Sequence, residues 1–162
     1  MARVLFFIFC LSLLCIGCEK DDICNEGTPG TPRLIIRFYD HQAPNTLKSV
    51  PTIQLKEINQ DRIYRSFNTD SIAIPMDLSK AYTRYAFILP SSTDTATIAD
   101  TLQFNHPYRN DRYSRRACGF SAEYTLGQPA ITTIGSITWY INSSIKLDTI
   151  RNEEQAHLAI YH

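Results

Sequence analysis

No surplus of charge marks this chain: 16 Lys and Arg stand against 16 Asp and Glu in 162 residues. A protein that grips nucleic acid through its phosphates carries a basic excess, so no nucleic-acid footprint appears at the level of net charge, and no nucleic-acid partner is expected. Long apolar runs are missing too. The longest, 4–16, would extend about 20 Å as a helix against a hydrocarbon core of about 30 Å, too short to span a bilayer. No window keeps apolar residues at a 3.6-residue period over ten or more positions, which argues against long helices; the best helical stretch is the short connector 152–156. Catalytic signatures are also absent. There is no Gly-x-Ser-x-Gly elbow and no phosphate-cradling glycine loop. The histidines, His41, His106, His157 and His162, are too scattered for a zinc-type motif, and on one strand His157 and His162 would face opposite sides. No metal, no cofactor and no catalytic role is therefore expected. Paired carboxylates remain the one enzymatic arrangement open to such a chain, drawn past residue 32 from Glu57, Glu123, Glu153 and Glu154.

What is present begins at the N-terminus. Arg3, the apolar run 4–16 and small Gly17 precede Cys18, in the order of a secretory signal that ends on a bacterial lipoprotein processing site. Cys15 stands three residues before Cys18, where leucine is usual. Cleavage before Cys18 makes 1–17 a signal peptide, 18–32 an acylated tether and 33–162 a single domain, a size that buries a core without metals. Two or three acyl chains on Cys18 would hold the protein to the membrane permanently, where one would hold it reversibly. Glu19-Lys20-Asp21-Asp22 looks like the export signal of surface lipoproteins in the Bacteroidota. That implies the outer face of the outer membrane, with the periplasmic leaflet as the alternative.

The other cysteines sort by fate. Cys10 and Cys15 leave with the signal, and Cys24 and Cys118 remain. In an exported chain these two thiols can pair, closing a loop of about 95 residues worth roughly 4 kcal/mol in chain entropy. Two unpaired thiols are the alternative, since sequence does not bring their β-carbons together.

Downstream of the tether the dominant period is two. Strands are expected at 33–39, 50–58, 62–67, 71–75, 83–89, 97–104, 131–141, 145–150 and 157–161, with 112–126 forming two strands or one bent at Gly119. This predicts an all-β fold, an immunoglobulin-like or related antiparallel β-sandwich of about eight to ten short strands, with a β-barrel as the alternative.

Two patterns on these strands carry chemistry. Tyr108, Arg109, Arg112, Tyr113, Arg115 and Arg116 form a local excess of charge with interleaved aromatics. Such guanidinium groups can hold an acidic glycan or a protein partner through bidentate and stacking contacts. A solvated edge strand that uses its arginines against edge pairing is the alternative. Asp70-Ser71-Ile72, Asp94-Thr95-Ala96, Asp100-Thr101-Leu102 and Asp148-Thr149-Ile150 resemble the O-glycosylation sequon of the same bacterial group, making Ser71, Thr95, Thr101 and Thr149 candidates. The triplet is also a natural way to leave a turn and open a strand.

The run from Cys18 to Cys24, then Thr31-Pro32-Arg33-Leu34-Ile35-Ile36-Arg37-Phe38-Tyr39-Asp40, resembles the start of an uncharacterised Bacteroidota lipoprotein family, a domain of unknown function. Asp70-Ser71-Ile72-Ala73-Ile74-Pro75, Ser114-Arg115-Arg116-Ala117-Cys118-Gly119-Phe120 and the stretch from Glu154 to His162 agree with it. Where such relatives read Ser-Arg-Ala-Cys-Gly, this chain carries an additional arginine. The resemblance implies lipidation at Cys18 and pairing of Cys24 with Cys118, and it supplies no activity. The expectation is an outer-membrane lipoprotein that acts as a non-catalytic binding or structural component of the envelope, with an envelope protein or glycan as partner. A small envelope enzyme acting on glycans is the competing expectation.

Overall fold

The structure is a computed structural model that describes residues 23–58, 60, 62–90, 97–135 and 139–162. The signal segment, Cys18 and Thr95 lie outside the described residues. Alternation of apolar side chains builds the strands, as in β1 (Leu34–Tyr39), where Leu34, Ile36 and Phe38 are fully buried and Arg37 is exposed between them. In a pleated strand successive side chains face opposite sides, so this spacing gives one core face. The same logic produces β2 (Val50–Glu57), β3 (Ile63–Thr69), β4 (Ser71–Ile74), β5 (Tyr82–Pro90), β6 (Thr97–Asn105), β7 (Tyr108–Arg115), β8 (Gly119–Thr125), β9 (Ile131–Ile134), β10 (Asn142–Ile145), β11 (Thr149–Ile150) and β12 (Leu158–Tyr161). No helix occurs among the described residues.

The strands form an all-β sandwich of three open sheets: a four-stranded sheet ordered β10-β12-β1-β4, a five-stranded sheet ordered β3-β2-β5-β6-β9, and a three-stranded sheet ordered β11-β8-β7. None closes into a barrel. All three contribute to one core, through Leu34, Ile36, Phe38 and Leu158 from the first, Ile53, Phe87 and Phe104 from the second, and Tyr124 and Ile150 from the third. Each such side chain contributes about 1.5–3 kcal/mol on burial.

Twelve strands are described where eight to ten were expected, and the surplus comes from interruptions. The expected strand 131–141 stops at Ile134; Gly135, at φ 128°, turns the chain in a conformation that side chains disfavour. Trp139 then enters the core, its ring 5.8 Å from Phe38 of one sheet and 6.0 Å from Phe87 of the other. Its backbone N–H donates to the buried carboxylate of Asp100 at 2.8 Å. The expected strand 145–150 is divided between two sheets as β10 and β11. The connector 152–156 forms no helix. Five residues are too few to offset helix nucleation, and the Asn152 side chain takes the N–H of Glu154 in a local turn. Pairing is antiparallel throughout except that β1 and β12 run parallel, with Ile36 opposite Leu158 and Tyr39 opposite Tyr161.

Candidate functional site

The N-terminal segment is held at three places, two on the β7–β8 hairpin of the three-stranded sheet and one on the loop that follows β11. Cys24 and Cys118 are joined, sulfur to sulfur, at 2.00 Å with Cα atoms 4.9 Å apart. Cys118 lies in the turn between β7 and β8, closed by Gly119 at φ 69°. Next, the Thr31 hydroxyl accepts the N–H of Ala122 at 3.0 Å. β11 pairs with β8 only at Thr125 and Tyr124, so Thr31 takes up a strand-edge donor that β11 is too short to reach. Finally, the Arg33 guanidinium forks onto Glu153, Nε to Oε1 at 2.9 Å, while the Arg33 backbone N–H donates to the same oxygen at 2.9 Å. This pairing holds the Glu153 carboxyl below its ordinary range.

The arginine cluster falls on β7, the free edge of that sheet, with every side chain exposed. Arg109 pairs with Asp111 at 2.7 Å and also donates to the Leu78 carbonyl. Arg112 meets Glu123 at 2.6 Å, and Arg151 meets the other oxygen of Glu123 at 3.6 Å. Arg115 makes no ion pair among the described residues, and Arg116 is exposed in the turn. The cluster is therefore not one continuous basic surface: Arg109 and Arg112 are each matched by an acid. From sequence Glu123, which matches Arg112, was named only as a candidate for a carboxylate pair and not as a partner of the arginines. The signal existed, since in the β7–β8 register Glu123 sits opposite Asn110, diagonal to Arg112.

Strap and sheet leave clefts between them. One of about 220 Å³ is bounded by Pro29, Gly30 and Pro32 on one side and Arg112, Glu123 and Arg151 on the other. A wider one of about 540 Å³ lies along the same strap, bordered by Arg151, Glu153 and Glu154. Of these carboxylates, Glu123 and Glu153 are each paired with arginine. Glu57 behaves differently. Burial, then the nearby charge of Asp77, pushes its carboxyl pKa up, while Gln60 donates to it at 3.0 Å. It lines neither cleft.

A family model described as "Family of unknown function (DUF6452)" matches residues 50–162. The chain belongs to this family. No curated protein and no solved structure matches it. The DUF6452 match starts at β2 and so omits Cys24, the strap and β1, although β1 lies between β12 and β4 in its sheet. Within the DUF6452 span the histidines serve packing. His106 and His157 are buried, and desolvation lowers the pKa of both. His106 Nε2 bonds the Thr83 hydroxyl at 2.8 Å, and its ring lies 5.0 Å from that of Tyr124. No group of three metal-ligating side chains converges among the described residues. The DUF6452 glycosylation candidates Ser71, Thr101 and Thr149 all lie half-buried on strands. Thr101 alternates with buried Asp100 and Leu102 and so points away from the core, whereas the Thr149 hydroxyl is bonded to Asp148 at 2.9 Å.

Proposed function

We propose that the chain is an outer-membrane lipoprotein of the Bacteroidota type, acylated at Cys18 and displayed on the cell surface, where it acts as a non-catalytic binding or structural component of the envelope. The observation that carries this reading is the covalent clamp at Cys24–Cys118, six residues after Cys18. Tension on a lipid anchor would pass through this bond into the β7–β8 hairpin instead of peeling Arg33 and β1 from the sandwich. An envelope protein or glycan is the partner class that suits such a display, with Arg109, Arg112, Arg115 and Arg116 as contacts for an anionic one. The Asp-Ser/Thr triplets are modification sites on the same reading, and the intact mass of the native protein reports any glycan beyond polypeptide and lipid. The decisive experiment is fatty-acid labelling of wild type and Cys18→Ala in the native host, followed by protease shaving of intact cells. Label lost in Cys18→Ala and a domain removed by shaving support the reading; label that persists, or a domain that resists shaving, overturns the anchor or the display.

Glu57 favours a second reading, a small envelope enzyme acting on glycans, because a carboxyl raised by burial beside another carboxylate is the signature of a general acid. Glycan hydrolysis by wild type that disappears in Glu57→Gln would establish it; no turnover by either removes it.

A further inference from the structure

On β8, Ala122 and Tyr124 are buried, yet Phe120 on the same face is 70% exposed, because the β7–β8 hairpin runs past the end of the core. Tyr113 crosses from β7 to meet it, ring centroids 5.3 Å apart, and is itself 61% exposed. Ile23, next to Cys24 and therefore held at the same tip by the disulfide, is 72% exposed. Three large apolar side chains thus share one protruding tip with Arg115. An exposed apolar patch of this kind marks a contact surface.

The disulfide also limits where this tip can go. Cys24 stands six positions after Cys18, and fully extended that stretch reaches about 20 Å. If Cys18 is acylated, as proposed above, the tip stays within about two Debye lengths of the membrane surface. Rings with one polar edge favour the membrane–water boundary, and guanidinium groups pair bidentately with phosphate.

We propose that the β7–β8 tip is a membrane-contact surface, with Tyr113, Phe120 and Ile23 seated in the headgroup region and Arg115 paired with lipid phosphate. The domain then lies against the bilayer that holds its anchor instead of swinging on a loose tether. The acidic run Glu19-Lys20-Asp21-Asp22 is the competing occupant by charge, but it would leave the three apolar side chains in water. A lipid surface accounts for both.

The test uses the full chain in its native membrane, with the photocrosslinker p-benzoylphenylalanine in place of Phe120. A control carries it in place of Leu47, an exposed residue bridged to Tyr39 at the far end of β1. Fatty-acid labelling is read in the same cells. Lipid adducts at position 120 about tenfold above those at position 47, and falling by about tenfold in Arg115→Glu, support the contact. Adducts to peptide 19–22, adducts to another protein, or lipid adducts equal at both positions overturn it while the anchor stands. Absence of fatty-acid label overturns the anchor itself, and the contact with it.

Discussion

The N–H of Ile35 donates to Nδ1 of His157 at 3.0 Å, and the N–H of His157 donates back to the Ile35 carbonyl at 2.9 Å. This reciprocal pair lies at the entrance to β12 and sets the strand beside β1 in parallel register. Because Nδ1 is an acceptor here, the ring must be neutral with its proton on Nε2. Protonation would place two hydrogens face to face.

Acid should therefore weaken the fold. Burial lowers the pKa of His106, His157 and His162 below the ordinary value of 6.5. Near pH 6.5 and below, the unfolded chain binds protons that the folded one refuses, so stability falls as pH drops from about 6.5 toward the folded pKa values. Glu57, whose pKa is raised from 4.5, acts in the opposite sense at lower pH. The expected result is a lower denaturant midpoint at about pH 5 than at about pH 7.5. His157→Gln should flatten that slope while costing about 1 kcal/mol at neutral pH. A midpoint unchanged across the range contradicts the assignment.

The disulfide spans 94 residues of sequence. Cys24→Ser with Cys118→Ser should lose up to about 4–5 kcal/mol, the entropic ceiling for a loop of that length, and should unfold at lower denaturant than the oxidised wild type. Equal midpoints for the two proteins would show that the strap is held by Thr31 and Arg33 alone.

Two buried tyrosines should respond with opposite sign. Tyr124 Oη has no hydrogen-bond partner among the described residues, and burial pushes its pKa up to about 12. Tyr85 Oη donates to the Pro75 carbonyl at 2.9 Å. Removing an orphaned hydroxyl relieves a desolvation cost, whereas removing a bonded one leaves an acceptor unpaired. Tyr124→Phe should stabilise and Tyr85→Phe destabilise, each by about 1 kcal/mol in thermal unfolding. Destabilisation by both would place a buried water on Tyr124.

Thr31→Val keeps shape and removes the oxygen that receives the N–H of Ala122. That donor is buried, so the change should cost about 1–2 kcal/mol and speed amide exchange at Ala122 specifically. Unaltered protection there would mean that another acceptor replaces Thr31.

How much of this was readable before folding differs element by element. Leu34, Ile36 and Phe38 announce a strand with one buried face, whereas Gly119 left two strands or one bent strand open, and the structure has the two strands β7 and β8. The arginines of β7 were legible as a cluster, and one of the two readings offered for them placed them on an edge strand. Trp139 was read as part of a strand; it left that strand because the space between Phe38 and Phe87 is filled by a ring from neither sheet. Glu153 and Thr31 carried no local pattern at all, since each acts on a partner far away in the chain.

By itself the sequence determined the all-β class and the faces of the strands. Those are consequences of a period of two and of short-range steric rules, which act within a few residues. Only the tertiary structure decided that β1 pairs with β12, that Arg33 meets Glu153 across 120 positions, and that Phe120 overhangs the core. Such contacts are chosen by competition among all faces for burial, and that competition is settled only when the whole chain has packed.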